Sequence, residues 1–266
     1  MKTSILACLP SEFPWKDRID YFKTLDSTNT KAKELAALGA PHGTVLIADH
    51  QTGGRGRMGR SFHSPAGAGI YLSVILRPQC PACELMHLTC AAAVSMCDAV
   101  EAATGLRPGI KWTNDLVCGA KKLGGILTEL SLDPSGKAAY AIVGIGINCC
   151  QKQSDFPEDI RNIATSLASA VDRPIDRSRV AAAMITALHY MADTLLSEKA
   201  SIMARYRADC ITVGKAISLV NGEEVRHATA TGIDDDGALL VAYPDGQVEA
   251  INAGEVSVRG MYGYIK

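Results

Sequence analysis

TVLIADHQTGGRGRMGR, residues 44–60, joins an apolar segment to a loop in which glycine and arginine alternate. Residues 44–51 have the composition of a strand, whereas glycine at this density cannot hold a regular element, so residues 52–60 are predicted to form a loop. Backbone N–H groups beside glycine approach anions closely, and guanidinium groups bind phosphate or carboxylate oxygens in pairs. The segment favours an anion-binding site, with a solvated basic turn or an RNA-binding Arg-Gly patch as the alternative.

The segments on both sides of this loop predict a mixed α/β (α+β) fold. Asp26-Ser-Thr-Asn29 are residue types that cap helix N-termini, and Gly105 is typical of a helix C-terminus. Asp133-Pro-Ser-Gly136 is typical of a turn between two strands. The predicted strands are residues 18–25, 44–51, 70–76 and three or four segments between 109 and 149, and the predicted helices follow residue 29 and cover 82–104 and about 177–208.

The pattern changes after a boundary near 209–213. From Val213 onward, short β runs are separated by Asn-Gly or Asp-Gly at 221–222, 236–237 and 245–246, which are typical of hairpin turns. The sequence therefore predicts a main domain of residues 1–212 and a small β-barrel domain of residues 213–266.

Charge and hydropathy restrict the classes of partner. Lys+Arg (27) nearly balance Asp+Glu (28), so the chain lacks the long-range attraction of a general nucleic-acid binder. No uninterrupted apolar run reaches the roughly 20 residues that span a bilayer, and the N-terminus does not resemble a signal peptide. We therefore expect a cytoplasmic protein without membrane contact.

The nine cysteines are an odd number and lie in apolar segments, which predicts reduced thiols. Cys80-Pro-Ala-Cys83 has no second Cys pair to complete a zinc site. Cys83, Cys90 and Cys97 recur every seven residues along one helical face, so core packing is favoured over metal binding.

Two further segments bring polar groups together. Lys111-Trp-Thr-Asn-Asp115 ends one predicted strand, and Lys121-Lys-Leu-Gly-Gly-Ile-Leu-Thr-Glu129 begins the next. A hairpin of this length places Lys122 near Asn114 and Asp115, which combines a cation for a carboxylate or phosphate with a carboxylate that can hold Mg²⁺ or accept a proton. Taken alone, the two segments are better explained by a solvated lysine and an Asn-Asp turn than by a functional site.

Gly144-Ile-Gly-Ile-Asn148 follows an apolar run. Glycine inside a buried strand indicates that a flat ligand or another backbone lies close against it. A buried Asn148 amide would need hydrogen-bond partners, which a ligand can supply.

Taken in order, five segments resemble the motif series of the biotin–protein ligases, over roughly residues 20–260. They are Ser27-Thr-Asn29, Gly54-Arg-Gly-Arg-Met-Gly-Arg60, Lys111-Trp-Thr-Asn-Asp115, Lys122-Leu-Gly-Gly-Ile-Leu and Gly144-Ile-Gly-Ile-Asn148. The resemblance implies a class II aminoacyl-tRNA synthetase-like catalytic domain with a mixed sheet, followed by a small SH3-like β-barrel. It implies an enzyme that adenylates biotin with ATP and transfers biotin to a lysine of a biotin carboxyl carrier domain. Thr113 departs from the proline of many relatives.

The resemblance also implies roles for individual residues. The implied catalytic residues are Lys122, Arg57 and Asp115. The implied biotin and adenylate contacts are Ser27, Thr28, Asn29, Gln51, Arg55, Gly56, Arg57, Lys122 and Gly125. The implied ATP contacts are Arg57, Arg60, Lys111, Asn114, Asn148 and Arg259, the last within Glu255-Val-Ser-Val-Arg259. Mg²⁺ is expected to enter with ATP and to contact Asp115, without a tightly bound metal.

Two other functions fit parts of the sequence. A lipoate or octanoate ligase shares the fold and the acyl-adenylate chemistry but lacks this dense Arg-Gly loop. A non-catalytic nucleotide- or RNA-binding module would use the loop, but it would give Lys122, Asn114 and Asp115 no common function.

Because the first motif begins some 25 residues into the chain, we expect no N-terminal helix-turn-helix domain and no operator DNA binding. The resemblance also allows a homodimer through an exposed sheet edge.

Overall fold

The computed structural model describes residues 1–221, 224–252 and 255–258, which contain two β-sheets. The strands of the larger sheet are β1 (Ile19–Leu25), β2 (Thr44–Gln51), β3 (Gly69–Leu76), β4 (Gly109–Lys111), β5 (Asp115–Cys118), β6 (Lys121–Leu132) and β7 (Ala138–Asn148). They lie in the order β1-β2-β3-β7-β6-β5-β4, with β1 parallel to β2 and the other neighbours antiparallel. This mixed sheet confirms the predicted α/β (α+β) class.

Helices cover both faces of this sheet. They are α1 (Lys2–Cys8), α2 (Thr28–Ala37), α3 (Leu88–Thr104), α4 (Glu158–Arg161), α5 (Leu167–Val171), α6 (Arg177–Thr194) and α7 (Lys199–Asp209). Side chains alternate along β3, so Val74 and Leu76 pack in the large core with α3 and α6, whereas Ile75 packs with α2. Each face of the sheet therefore has its own apolar cluster.

Ser27 and Gly105 form two of the predicted helix ends, and Asp176 caps a third helix without having been predicted. Ser27 caps α2 by accepting a hydrogen bond from the Thr30 N–H, and Asp176 caps α6 through the N–H groups of Ser178 and Arg179. Each cap stabilises its helix by about 1 kcal/mol. Gly105 ends α3 with φ of 77°, a conformation that favours glycine.

The prediction of one helix at 177–208 was wrong, because the chain bends between α6 and α7. At the bend, the Leu195 carbonyl accepts a hydrogen bond from Nε2 of the buried His87 at 2.8 Å. After the bend, α7 packs against α3 and β4. The predicted helix at 82–104 is also divided, into a 3-10 turn at Ala82–Leu85 and α3.

The segment Ala82–Thr104 is long and apolar enough to cross a membrane by length and composition, although charged residues interrupt it. However, 72% of its most apolar window is buried inside the protein. The core of this fold therefore accounts for the apolar character of α3.

All nine cysteines lie in the described part of the chain, and each is a free thiol. Cys90 and Cys97 are buried on α3, as predicted for core packing, whereas Cys83 is exposed before the helix begins. Burial raises the pKa of Cys90 to about 12. These buried thiols therefore stay protonated and act as small apolar side chains.

The second sheet is antiparallel throughout. Its strands are β8 (Ala216–Asn221), β9 (Glu224–Ile233), β10 (Leu239–Ala242), β11 (Val248–Ile251) and β12 (Glu255–Val258), in the order β11-β10-β9-β8-β12. The predicted turns at 236–237 and 245–246 join β9, β10 and β11, and the one predicted at 221–222 extends beyond the described residues. The two sheets are connected by a hydrogen bond from Trp112 Nε1 to the Gly237 carbonyl at 2.8 Å.

Candidate active site

A cavity of about 250 Å³ lies between the N-terminus of α2, the Arg-Gly loop and strands β5 to β7. Nearly all of the residues singled out from the sequence line it: Ser27, Thr28, Asn29, Gln51, Arg55, Gly56, Arg57, Arg60, Lys111, Asn114, Asp115, Lys122, Gly125 and Asn148. Arg259 lies outside the described residues. Five separated segments thus converge on one site.

The α2 end of the cavity is a hydrogen-bonded polar cluster. The Thr28 N–H and hydroxyl both donate to Gln51 Oε1, at 2.8 and 3.1 Å. Gln51 Nε2 donates in turn to Ser64 Oγ at 2.9 Å. Because its oxygen already accepts two hydrogen bonds, the Gln51 amide is held with its N–H donors on the opposite side.

Asn29 lies across a row of three strands. Ser73 of β3 and Leu127 of β6 are both paired with Gly144 of β7. The Asn29 side chain contacts both neighbours, with Oδ1 2.6 Å from Ser73 Oγ and Nδ2 3.2 Å from the Leu127 carbonyl. A Cβ on Gly144 would lie 1.8 Å from Asn29 Oδ1, so only glycine fits here. The sequence predicted a flat ligand or another backbone close to Gly144, whereas the close neighbour is the Asn29 side chain.

We expect Gly144→Ala to displace Asn29 and to weaken ligand binding at this end of the cavity by at least about ten-fold. The added methyl group overlaps Asn29 Oδ1, and overpacking of this kind costs about 1–3 kcal/mol of stability. Ligand affinity by calorimetry and thermal unfolding would measure both effects.

Gly232→Ala is the matched control, since a Cβ there meets only Leu240 Cδ1 at 3.6 Å. Equal losses of affinity in both variants would contradict the packing role of Gly144.

The Arg-Gly loop is closed by its own backbone. Gly56 N–H donates to the Arg60 carbonyl at 2.7 Å, and Phe62 N–H donates to the Gly54 carbonyl at 2.8 Å. Gly54 has no room for a side chain, because a Cβ would lie 2.4 Å from the Phe62 carbonyl. The tip contains Met58 with φ of 54°. The loop thus carries its arginines on a compact, hydrogen-bonded turn.

Two arginines of this loop contact different segments: Arg57 contacts a residue of the cavity lining, and Arg55 contacts Glu129, which is not among the described lining residues. Arg57 Nη1 donates to Asn114 Oδ1 at 3.0 Å, on the segment between β4 and β5. Arg55 Nη1 lies 3.4 Å from Glu129 Oε1, on β6. Asn114 Nδ2 donates to the Ile126 carbonyl at 2.9 Å, which directs its Oδ1 to Arg57. The loop is therefore held over the cavity at both sides.

Lys122 and Asp115 form an ion pair, as the hairpin spacing predicted. Lys122 Nζ donates to Asp115 Oδ1 at 2.7 Å, and the two side chains are 34% and 19% exposed. Asp115 pairs with Gly125 across the β5–β6 hairpin, so the two charged groups are neighbours on adjacent strands. The pair places a cation at the cavity wall where it can bind phosphate or carboxylate oxygens.

The buried Asn148 amide has protein partners. Its Nδ2 donates to the Thr165 carbonyl at 3.0 Å, and its Oδ1 accepts from Gln151 Nε2 at 3.2 Å. Burial of this amide therefore does not by itself require a ligand.

Lys111 and Arg60 add two further cationic side chains to the lining of the cavity.

The apolar wall of the cavity contains residues that the sequence reasoning missed. They are Phe62, Trp112, Phe156, Ile160 and Ile163. Phe156, Ile160 and Ile163 are spaced like residues on one face of a helix. This spacing was the signal that the sequence offered, in a stretch whose hydrophobic pattern was otherwise weak. A Cβ on Gly146 would lie 2.5 Å from the Phe62 ring, so this aromatic side chain rests on the β7 backbone.

The described lining of the cavity contains one carboxylate, that of Asp115. No group of three or more His, Cys, Asp or Glu side chains forms a metal site within residues 1–221, 224–252 and 255–258. Asp115 supplies one carboxylate, and Mg²⁺ is commonly held by one or two carboxylates together with substrate phosphates.

Two family models match the chain. The model described as the biotin/lipoate A/B protein ligase family matches residues 21–148, and the biotin protein ligase C terminal domain matches residues 212–259. The bifunctional ligase/repressor BirA of Bacillus spizizenii is 37% identical over 227 residues, which cover 85% of this chain and 70% of that protein. The biotin--[acetyl-CoA-carboxylase] ligase of Mycobacterium tuberculosis is 33% identical over 249 residues, which cover 91% of this chain and 89% of the relative.

A solved structure matches the fold over nearly the same length. The biotin protein ligase from Aquifex aeolicus, in complex with biotin and ATP, superimposes with a TM-score of 0.76 at 30% identity, covering 91% of this chain and 98% of that one. These similarities extend over both sheets and all five motif segments. The chain therefore belongs to the biotin protein ligase family.

Proposed function

We propose that this chain is an ATP-dependent biotin–protein ligase. It activates biotin with ATP to biotinyl-5'-AMP and transfers biotin to a specific lysine of a biotin carboxyl carrier domain. In support, two relatives are named biotin--[acetyl-CoA-carboxylase] ligase, and the similar solved structure is in complex with biotin and ATP. The observation that carries the proposal is the composition of one cavity. A hydrogen-bonding end, a glycine-lined strand and a cationic end follow one another in it, in the order that biotin and a nucleotide require.

The polar end suits the ureido ring of biotin, which carries one carbonyl acceptor and two N–H donors. Gln51 has one N–H left after its bond to Ser64, on the side away from Thr28, and Asn29 and Ser27 supply side-chain oxygens. Because these groups are fixed by protein hydrogen bonds, little ordering is required on binding. Gly144 and Gly146 make room on β7 for the Asn29 side chain and the Phe62 ring, which form this part of the cavity wall.

The cationic end suits adenylate formation. A biotin carboxylate oxygen forms a bond to the α-phosphorus of ATP, and the bond from that phosphorus to the pyrophosphate oxygen breaks. Lys122 would stabilise the negative charge that develops on the α-phosphate oxygens, while Asp115 holds the ammonium in position. Mg²⁺ would arrive on the ATP phosphates, offset their charge and contact Asp115.

The loop suits retention of the adenylate. Biotinyl-AMP is hydrolysed by water, so a closed cavity protects it until the acceptor lysine attacks the acyl carbon and AMP leaves. Arg55, Gly56 and Arg57 would cover the intermediate, and the contacts of the loop with Asn114 and Glu129 would hold it there.

ATP–pyrophosphate exchange tests the proposal. We expect exchange that requires biotin, with lipoate and octanoate inactive. Exchange with lipoate but not with biotin would select a lipoate ligase, and exchange with neither acid would favour a non-catalytic nucleotide- or RNA-binding module.

Several further properties remain predictions. We infer that the chain is divided into a catalytic domain of residues 1–212 and a C-terminal domain of residues 213–266. We also infer a cytoplasmic location, which is in keeping with nine free thiols.

Binding of operator DNA is not expected, and a specific footprint on DNA would contradict this. A homodimer through a sheet edge is testable by sedimentation, with β1 and β4 as the edges of the main sheet.

A further inference from the structure

Glu129 lies behind Asn29, and its carboxylate contacts three polar side chains. Its Oε2 accepts from Asn29 Nδ2 at 2.9 Å, and its Oε1 accepts from Lys33 Nζ at 2.8 Å and lies 3.4 Å from Arg55. Asn29 and Lys33 are four residues apart on α2 and thus share a helix face. Burial alone would raise the pKa of Glu129. The hydrogen bonds from Lys33 and Asn29 and the charge of Arg55 outweigh this effect, so the pKa lies below its usual value and the carboxyl is anionic at neutral pH.

These contacts fix the orientation of the Asn29 amide. Both Nδ2 hydrogens are used, one by the Leu127 carbonyl and one by Glu129. The Oδ1 atom lies 2.6 Å from Ser73 Oγ. A rotated amide would place Oδ1 against the Glu129 carboxylate, where two acceptors repel each other. Asn29 therefore presents only its remaining Oδ1 acceptor site to the cavity.

We propose that Glu129 is a specificity-determining positioning residue that acts through Asn29. By accepting a hydrogen bond from Asn29 Nδ2, it keeps the Asn29 oxygen available for an N–H donor of the ligand. The inference rests on the proposed function, in which that donor is a ureido N–H of biotin. Glu129 does not itself appear among the described residues that line the cavity.

Glu129→Gln tests this role with almost no change in shape. The glutamine oxygen is expected to face Lys33 and Arg55, because cations repel N–H groups, and its amide nitrogen then faces Asn29. Asn29 must rotate to accept from that nitrogen, which turns its own N–H groups toward Ser73 and the cavity. We expect the KM for biotin to rise about ten-fold, the effect of one mispaired hydrogen bond. The KM for ATP and kcat should stay within about two-fold.

A double-mutant cycle separates this mechanism from an effect through Arg55. If Glu129 acts through Asn29, then Asn29→Ala combined with Glu129→Gln has the biotin KM of Asn29→Ala alone. Additive effects, or an unchanged biotin KM in Glu129→Gln, would overturn the inference. If Glu129→Gln does not fold, Ser73→Ala removes the hydrogen bond that Asn29 Oδ1 accepts, which also orients the amide, and the same non-additivity with Asn29→Ala is expected.

Asp49→Asn is the matched control. Asp49 forms a carboxylate ion pair with Arg177 at 2.8 Å, its side chain is 22% exposed against 21% for Glu129, and it is not among the described lining residues. This variant should keep the wild-type KM for biotin. Absence of biotin-dependent exchange in the wild-type chain would refute the proposed function, whereas exchange in both wild type and Glu129→Gln with the same KM for biotin would refute only the role of Glu129.

Discussion

Replacement of Lys122 by methionine is expected to slow biotinyl-AMP formation by about 10²- to 10³-fold, the usual effect of removing one group that stabilises transition-state charge. Methionine keeps an apolar chain that extends to Cε but removes the ammonium that Asp115 holds at the cavity wall. Affinity for biotin should change far less, because the polar end around Thr28 and Gln51 is formed by other segments. Single-turnover formation of labelled biotinyl-AMP measures the rate directly.

Lys121→Met is the matched control, since Lys121 precedes Lys122 in β6 and is not among the described lining residues. Its rate should match that of the wild-type chain. A normal rate of adenylate formation in Lys122→Met would contradict the role of the ammonium, and an equal loss in both variants would indicate a defect of the hairpin.

Arg57→Ala is expected to increase the release rate of bound biotinyl-AMP by about ten- to a hundred-fold, the loss of one charge-assisted hydrogen bond. Arg57 reaches across the cavity to Asn114, so its removal eliminates both a cation and one of the two anchors of the loop. A chase of preformed labelled adenylate with unlabelled ligand would measure the release rate.

Arg226→Ala serves as the control for loss of an arginine, because Arg226 pairs with Glu249 on the second sheet, away from the cavity. An unchanged adenylate release rate in Arg57→Ala would refute the closure role of the loop.

The features predicted correctly depend on local sequence. The contact between Lys122 and Asp115 follows from a two-residue turn, Gly119-Ala120, and the N-cap of α2 follows from Ser27 itself. Both arise within a few residues along the chain, where spacing and residue type determine geometry.

The features that were missed depend on contacts between distant segments. Ser73 and Glu129 lie 44 and 100 residues from Asn29, and no pattern in either strand indicates that the three meet. The bend after Thr194 could not be predicted for the same reason, because it accompanies packing of α7 against α3 and β4. The roles of the lining residues followed from the family resemblance, whereas their convergence on one cavity required the fold.

The direct test of biotin ligation is mass spectrometry of a biotin carboxyl carrier domain after incubation with the full chain, biotin and MgATP. We expect one biotinyl group on a single lysine of the acceptor, and no modification when ATP is omitted or when lipoate replaces biotin. An acceptor that stays unmodified here, while another biotin–protein ligase biotinylates the same preparation, would contradict the proposed function.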